Sequence, residues 1–162
     1  MKENKGSLEI ERKFLVKNNT YLSESYKTLS IKQGFLNSDK NRVVRIRVLD
    51  NTGFITVKGI SSKDGTSRFE WEKEIPLLEA NSLLLLCEQT IIEKKRNLIK
   101  SKNHTFEVDE FLGANEGLII AEIELSSVKE KFLKPDWLGK EVTGISKYYN
   151  SELSKNPFKN WT

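Results

Sequence analysis

Apolar and polar residues alternate with a period of two along much of this chain. Residues 8–16 read LEIERKFLV, with Glu9, Glu11 and Lys13 on one side and Ile10 and Phe14 on the other. Side chains of an extended strand point alternately to its two faces, so this spacing predicts a strand. The same test passes in RVVRIRVL, where Arg45 and Arg47 oppose Val44, Ile46 and Val48. It passes in FITVKGI, which puts Thr56 and Lys58 against Ile55 and Val57. In RFEWEKEI, residues Arg68, Glu70, Glu72 and Glu74 oppose Phe69, Trp71 and Ile75. HTFEVDEF sets Glu107 and Asp109 against Phe106 and Val108, and LIIAEIEL sets Glu122 and Glu124 against Ile123 and Leu125. IIEKKRNLI is ambiguous, because charge falls on both faces around Lys94 and Arg96.

Between these segments, Asp50–Gly53 reads as a hairpin turn and Ser61–Ser67 as a second turn. Three stretches read as helical. Residues 19–30 carry Tyr21, Leu22, Tyr26 and Leu29; Pro76 opens a leucine-rich helix to about Gln89; residues 144–154 suit a final helix. Seven or eight strands, mostly sequential and joined by tight turns, predict an α+β protein built on a closed antiparallel barrel. With 162 residues and no linker or repeat, the expectation is one domain over residues 1–162.

Composition changes this picture in one respect. Charged residues make up 31% of the chain and apolar ones 37%, a high share of charge for a globular protein. The charged face of a single strand usually meets water. Here the charges recur as i, i+2 pairs of one sign on successive strands, which points to a charged barrel interior with apolar outer faces. Buried charge must be balanced internally or by bound ions. Acidic pairs collect divalent metal and basic residues collect a polyanion, so the pattern suggests a metal–polyphosphate site. The net charge of +4 excludes a polycation that binds nucleic acid by bulk attraction. The single cysteine, Cys87, excludes a disulfide within the chain and reads as a buried thiol. No stretch of about 18 apolar residues is present, and a cytoplasmic, non-membrane protein is expected.

The ordered series of motifs resembles a known family. EIERKFLV is similar to the N-terminal ExExK signature of the CYTH domain, the triphosphate tunnel metalloenzymes. The resemblance continues through Arg45 and Arg47, TVKG around Lys58, RFEWE, Lys94 and Arg96 in IEKKR, FEVDEF and AEIEL, and extends to WLGKEVTG and KYYN. It implies an eight-stranded antiparallel barrel forming a charged tunnel, with helices packed outside and a C-terminal helix near one end. It further implies a homodimer, dependence on Mg²⁺ or Mn²⁺, and a triphosphate-containing small molecule as substrate. Small bacterial members with this pattern most resemble inorganic triphosphatases.

Phosphoryl transfer needs positioning and charge neutralisation more than covalent chemistry. Arg45, Arg47, Lys58, Lys94 and Arg96 are therefore expected to grip phosphate oxygens. Lys13 joins them or sits near the leaving or attacking oxygen. Lys13, Glu11, Arg47 and Lys58 form the expected catalytic set. Glu9, Glu11, Glu70, Glu72, Glu122 and Glu124, with Asp109, are the candidate metal ligands, although some must instead salt-bridge the basic residues. One departure stands out. Some relatives pair the signature lysine with a tyrosine in a QGYL segment, where this chain has Gln33-Gly34-Phe35-Leu36. Tyr148 and Tyr149 are substitutes only if the terminal segment approaches the tunnel. His104, Arg12 and Lys95 are expected at the surface, Trp71 and Trp137 as packing residues and Trp161 as a terminal anchor. The expected reaction is hydrolysis of inorganic tripolyphosphate. The alternatives are an organic triphosphate, cleaved or cyclised, and polyphosphate binding without catalysis.

Overall fold

The computed structural model describes residues 6–161. Nine strands run in the order β1 (Ser7–Val16), β2 (Ser25–Asn37), β3 (Arg42–Leu49), β4 (Thr52–Gly59), β5 (Ser67–Ile75), β6 (Glu88–Ser101), β7 (His104–Phe111), β8 (Ile119–Glu124) and β9 (Leu138–Glu141). All ladders are antiparallel, and β1 to β8 close a ring in the order β5-β4-β3-β2-β6-β7-β8-β1, with β1 returning to β5. Closure gives each of those eight strands a partner on both sides. Two-residue turns join β3 to β4 and β6 to β7, since Leu49 faces Thr52 and Ser101 faces His104. Asp50 and Lys102 open them with φ of 51° and 54°, the sense that matches strand twist in tight hairpins.

Strand β1 is the keystone. One of its edges takes β8 over Glu11–Leu15, and the other takes first β5 over Ser7–Ile10 and then β9 over Phe14–Val16. In the gap between β5 and β9, the Glu11 amide donates to the Thr66 carbonyl at 2.9 Å, and the Lys13 amide donates to Thr143 Oγ1 at 2.9 Å. The two loops that fill this gap touch. A Cβ on Gly65 (φ 76°) would lie 2.3 Å from Gly144 Cα, so the seam tolerates only glycine there.

The outer face of the ring carries two apolar clusters. Phe14, Phe106, Ile123, Tyr21 and Trp137 form one on β1, β7 and β8. Ile46, Ala80 and Leu84 form the other beneath the helix α2 (Leu77–Leu84). Inside, one end of the barrel is an apolar floor of Phe35, Val43, Ile92, Phe111 and Ile120, sealed by Leu153. Apolar residues on the outward-facing positions therefore hold the barrel, while the charges lie inside. Trp137 is buried at 1% exposure, and Trp161 packs edge-on to Phe158 and Tyr148, as expected of a core residue and an anchor.

All three helical expectations need correction. Residues 19–30 give only one helical turn, α1 (Tyr21–Glu24), before β2 begins at Ser25. The helical spacing there was outweighed by β2–β6 pairing from Ser25 onward, which leaves Tyr26 53% exposed. Helix α2 ends at Leu84, and β6 has begun by Glu88. Residues 144–154 form a 3₁₀ turn at Ser146–Tyr148 and a four-residue α3 (Asn150–Leu153) instead of one helix. Cys87 is only half-buried, its Sγ 3.4 Å from the Leu83 carbonyl.

Candidate active site

The barrel encloses a cavity of about 350 Å³ bounded by seven acidic and seven basic side chains. Alternation places them there: each ladder carries its inward residues in register. Arg45 lies opposite Thr56, which lies opposite Glu72; Arg96 lies opposite Asp109; Lys13 lies opposite Glu122, which lies opposite Glu107.

On the β3–β5 side the charges are paired. Arg45 and Arg47 each donate Nη2 to Glu72 Oε2, at 3.3 and 3.2 Å, and Thr56 Oγ1 donates to the same oxygen at 2.7 Å. Against the penalty of burial, these bonds hold the Glu72 carboxyl below its ordinary range. Burial and the neighbouring Arg45 bring Arg47 down to about 10. Lys58 Nζ donates to Glu9 Oε2 at 2.9 Å, and Glu70 lies opposite Lys58 in the ladder.

The β6–β7 side is tighter. Lys94 Nζ lies 2.6 Å from Asp109 Oδ2, and Arg96 grips both oxygens of Asp109, with Nε to Oδ1 at 2.7 Å and Nη2 to Oδ2 at 2.9 Å. Arg96 Nη1 also meets Glu107. Asp109 is 1% exposed and does not border the cavity. Its carboxyl is held far below normal, because Arg96 and Lys94 together overcome burial. Lys94 is brought down to about 8 by burial, against the attraction of Asp109.

The β1–β8 side is crowded with like charge. Glu11 stands opposite Glu124, with Glu9 two residues away and Glu122 on the adjoining strand. Burial, then Glu122 and Glu9, push the Glu11 carboxyl up to about 8. Glu124 is raised by burial and by Glu9 and Glu107. Glu107 is raised by burial despite Arg96. Glu122 goes the other way, since Lys13 at 3.4 Å offsets its burial. Among the described residues, no three acidic, histidine or cysteine side chains converge into a ready-made metal cage.

The terminal segment enters the tunnel. Lys13 Nζ lies 3.4 Å from the Tyr148 carbonyl and 5.1 Å from the Tyr149 ring centre, and Lys94 Nζ donates to Asn150 Oδ1 at 3.2 Å. Tyr149, Asn150 and Ser151 border the cavity, while Tyr148 packs on Trp161. Phe35 sits where the floor meets the charged space and offers no hydroxyl.

Twelve of the thirteen residues singled out from the sequence thus border one space, and Asp109 lies behind it. Sequence reasoning put Glu107 on the charged face with Asp109 by alternation but gave it no role in the site, although Glu107 borders the cavity. It left Arg68 open; that side chain borders the cavity and donates Nε and Nη2 to the Gly59 carbonyl at 3.2 and 3.0 Å. Three surface expectations fare differently. Lys95 is exposed. Arg12 is not free in solvent, since it forms a two-pronged pair with Glu141 at 2.8 and 2.7 Å and lies over Phe132. His104 is largely covered and pairs with Glu130 at 3.0 Å.

Comparison with known proteins agrees with this geometry. An inorganic triphosphatase of Acetivibrio thermocellus is 51% identical over 154 residues, which cover 94% of this chain and 97% of that protein. The crystal structure of an inorganic triphosphatase superposes with a TM-score of 0.64 at 28% identity, over 90% of this chain and 96% of that one. A conserved hypothetical protein of Pyrococcus furiosus superposes with a TM-score of 0.60 at 25% identity, over 75% and 80% of the two chains. The CYTH domain model matches residues 7–157, and the chain belongs to the CYTH domain family.

Proposed function

We propose that this protein hydrolyses inorganic tripolyphosphate to pyrophosphate and phosphate within the barrel, with Mg²⁺ or Mn²⁺ as cofactor. The observation that carries the reading is the enclosed cavity with equal numbers of acidic and basic side chains. Its basic groups suit a run of phosphates, and its crowded carboxylates on β1 and β8 suit divalent cations. The 51% identical relative, named an inorganic triphosphatase, supports the same reaction.

In this reading Arg45, Arg47, Lys58, Lys94 and Arg96 bind phosphate oxygens, the arginines through N–H groups not spent on their carboxylate partners and the lysines as point charges. Lys13 joins them from β1. Glu9, Glu11, Glu122 and Glu124 hold the metal, with Glu70 and Glu72 reaching it directly or through water, because Mg²⁺ keeps several of its waters and needs no all-protein cage. The raised carboxyls of Glu11 and Glu124 fit this donor role. A bound divalent ion would neutralise phosphate charge and lower the pKa of its water. Asp109 has both oxygens engaged, so it aims Lys94 and Arg96 and is not a ligand. A homodimer and a cytoplasmic setting complete the reading; among the described residues no helix is long and apolar enough to cross a membrane.

The test is phosphorus NMR of products from a panel of inorganic, nucleoside and thiamine triphosphates, with Mg²⁺, Mn²⁺ or a chelator. Metal-dependent release of pyrophosphate and phosphate from tripolyphosphate is expected to dominate. Glu11→Gln, Arg47→Ala and Lys58→Ala should each lower turnover by about 100-fold or more. Wild-type turnover in all three variants, or tight binding without cleavage at any metal concentration, would overturn the assignment.

A further inference from the structure

Gln33 stands in the middle of β2, opposite Arg47 on β3 and Ile92 on β6, so its side chain points into the barrel with theirs. It is 1% exposed, and neither Oε1 nor Nε2 has a hydrogen-bond partner. Buried amides are almost always paired, and an unpaired one is costly. Its neighbours on the same face of β2, Ile31 and Phe35, are apolar. Packing alone would favour a third apolar side chain at this position. Two other buried polar atoms share the condition among the described residues: Nε of Arg45 and Nε of Arg47. Both guanidiniums spend Nη2 on Glu72, which leaves those Nε–H groups idle. The orphans are complementary, because Gln33 brings an acceptor and two N–H donors while each arginine brings a donor. Directly opposed residues on neighbouring strands have Cβ atoms about 4.5–5.5 Å apart, within reach of such a pairing.

We propose that Gln33 is a substrate-positioning residue of the tunnel. Its Oε1 accepts from Arg47 Nε–H, directly or through one water; Gln33 itself lies behind the residues that border the cavity, so it acts on the bound phosphate chain through Arg47. With Nη2 on Glu72 and Nε on Gln33, the Arg47 fork is fixed on two sides and Nη1 remains for the anion. The ligand is a polyphosphate anion, so the inference rests on the reading of the cavity as a triphosphate site.

The test is calorimetric titration of tripolyphosphate in EDTA, where metal-dependent turnover is absent, with each affinity taken on the folded fraction. Gln33→Met matches the volume without polar atoms. It should weaken binding about tenfold while the melting temperature holds or rises, because an orphaned amide has been removed from apolar surroundings. Gln33→Glu keeps an acceptor, loses the donor and adds a negative charge, and should bind more weakly still. In the Arg47→Lys background, which has no Nε–H, the Gln33→Met penalty should shrink. Affinity equal to wild type in both single variants would overturn the proposal, whatever their melting temperatures. If wild-type protein binds tripolyphosphate but does not cleave it when metal is added, the hydrolytic reading fails, and this titration still decides the part played by Gln33.

Discussion

The β6–β7 wall and the β1–β8 wall are neighbours around one cavity, joined through the β7–β8 ladder, and electrostatically they are opposites. Around Asp109, every oxygen is taken, by Lys94 and Arg96, and the carboxyl is driven far down. Around Glu11, the nearest groups include Glu122 and Glu9, and the carboxyl is driven up. The first wall is complete without a ligand. The second becomes favourable only when a cation joins it. The barrel thus fixes its cations in place with internal counter-charges and leaves Glu11 and Glu124 crowded by like charge, which suits a site that takes metal and polyphosphate together.

Breaking the complete wall should have the largest effect on stability. Asp109→Ala leaves Lys94 and Arg96 buried without their shared partner, and a loss of about 3–5 kcal/mol in urea unfolding is expected. Turnover should fall as well, since both cations lose their aim. On the crowded wall the sign reverses. Glu11→Gln removes a strained carboxylate and should stabilise the metal-free protein at alkaline pH by about 1–3 kcal/mol. The same variant should lose most of the thermal shift that Mn²⁺ gives wild type, and a stability gain in both conditions would remove Glu11 from the metal site.

The pH dependence sharpens the contrast. Glu11 binds its proton more tightly folded than unfolded, so its contribution to stability is complete below the ordinary carboxylate range and is lost as pH rises through about 8. Metal-free protein should therefore show a melting temperature that falls from about pH 5 to about pH 8 and levels off above it, and the slope should flatten in Glu11→Gln. Asp109 acts in the opposite sense. Its depressed pKa gives stability that is present above the ordinary range and lost in strong acid. The smallest effect belongs outside the ring. Arg12→Ala breaks a partly exposed pair with Glu141, and a cost within about 1 kcal/mol is expected. Its tripolyphosphate turnover should match wild type.

Most of this contrast could be read from the chain, because alternation assigns faces without knowledge of partners. Glu9, Glu11, Lys13, Arg45 and Arg47 all lie inward where period two puts them. The helical stretches were less legible. Tyr21, Leu22, Tyr26 and Leu29 have helical spacing, but a long cross-strand ladder with β6 decides the backbone from Ser25. The division of labour among carboxylates was not legible at all. Asp109 and Glu122 look alike in sequence, and only register separates the one locked behind two cations from the one that borders the cavity. Gln33 entered the sequence reading only as the first residue of the QGYL-like segment, with no role of its own, because a search for charge passes over a neutral amide.

The placement of β1 between β8 on one side and β5 with β9 on the other has a consequence in time. The pairings of β3, β4 and β5 join neighbours in the chain, whereas Glu11 meets Glu124 and Phe14 meets Glu141. Contacts between near neighbours close small loops and form early; distant ones wait for the loop entropy to be overcome. During synthesis the strand bearing Glu9, Glu11 and Lys13 is made first among the nine, and its ladders with β8 and β9 can form only after those strands have been made. Until the ring shuts, those three side chains remain open to water. Assembly of the cavity and completion of the fold are one event.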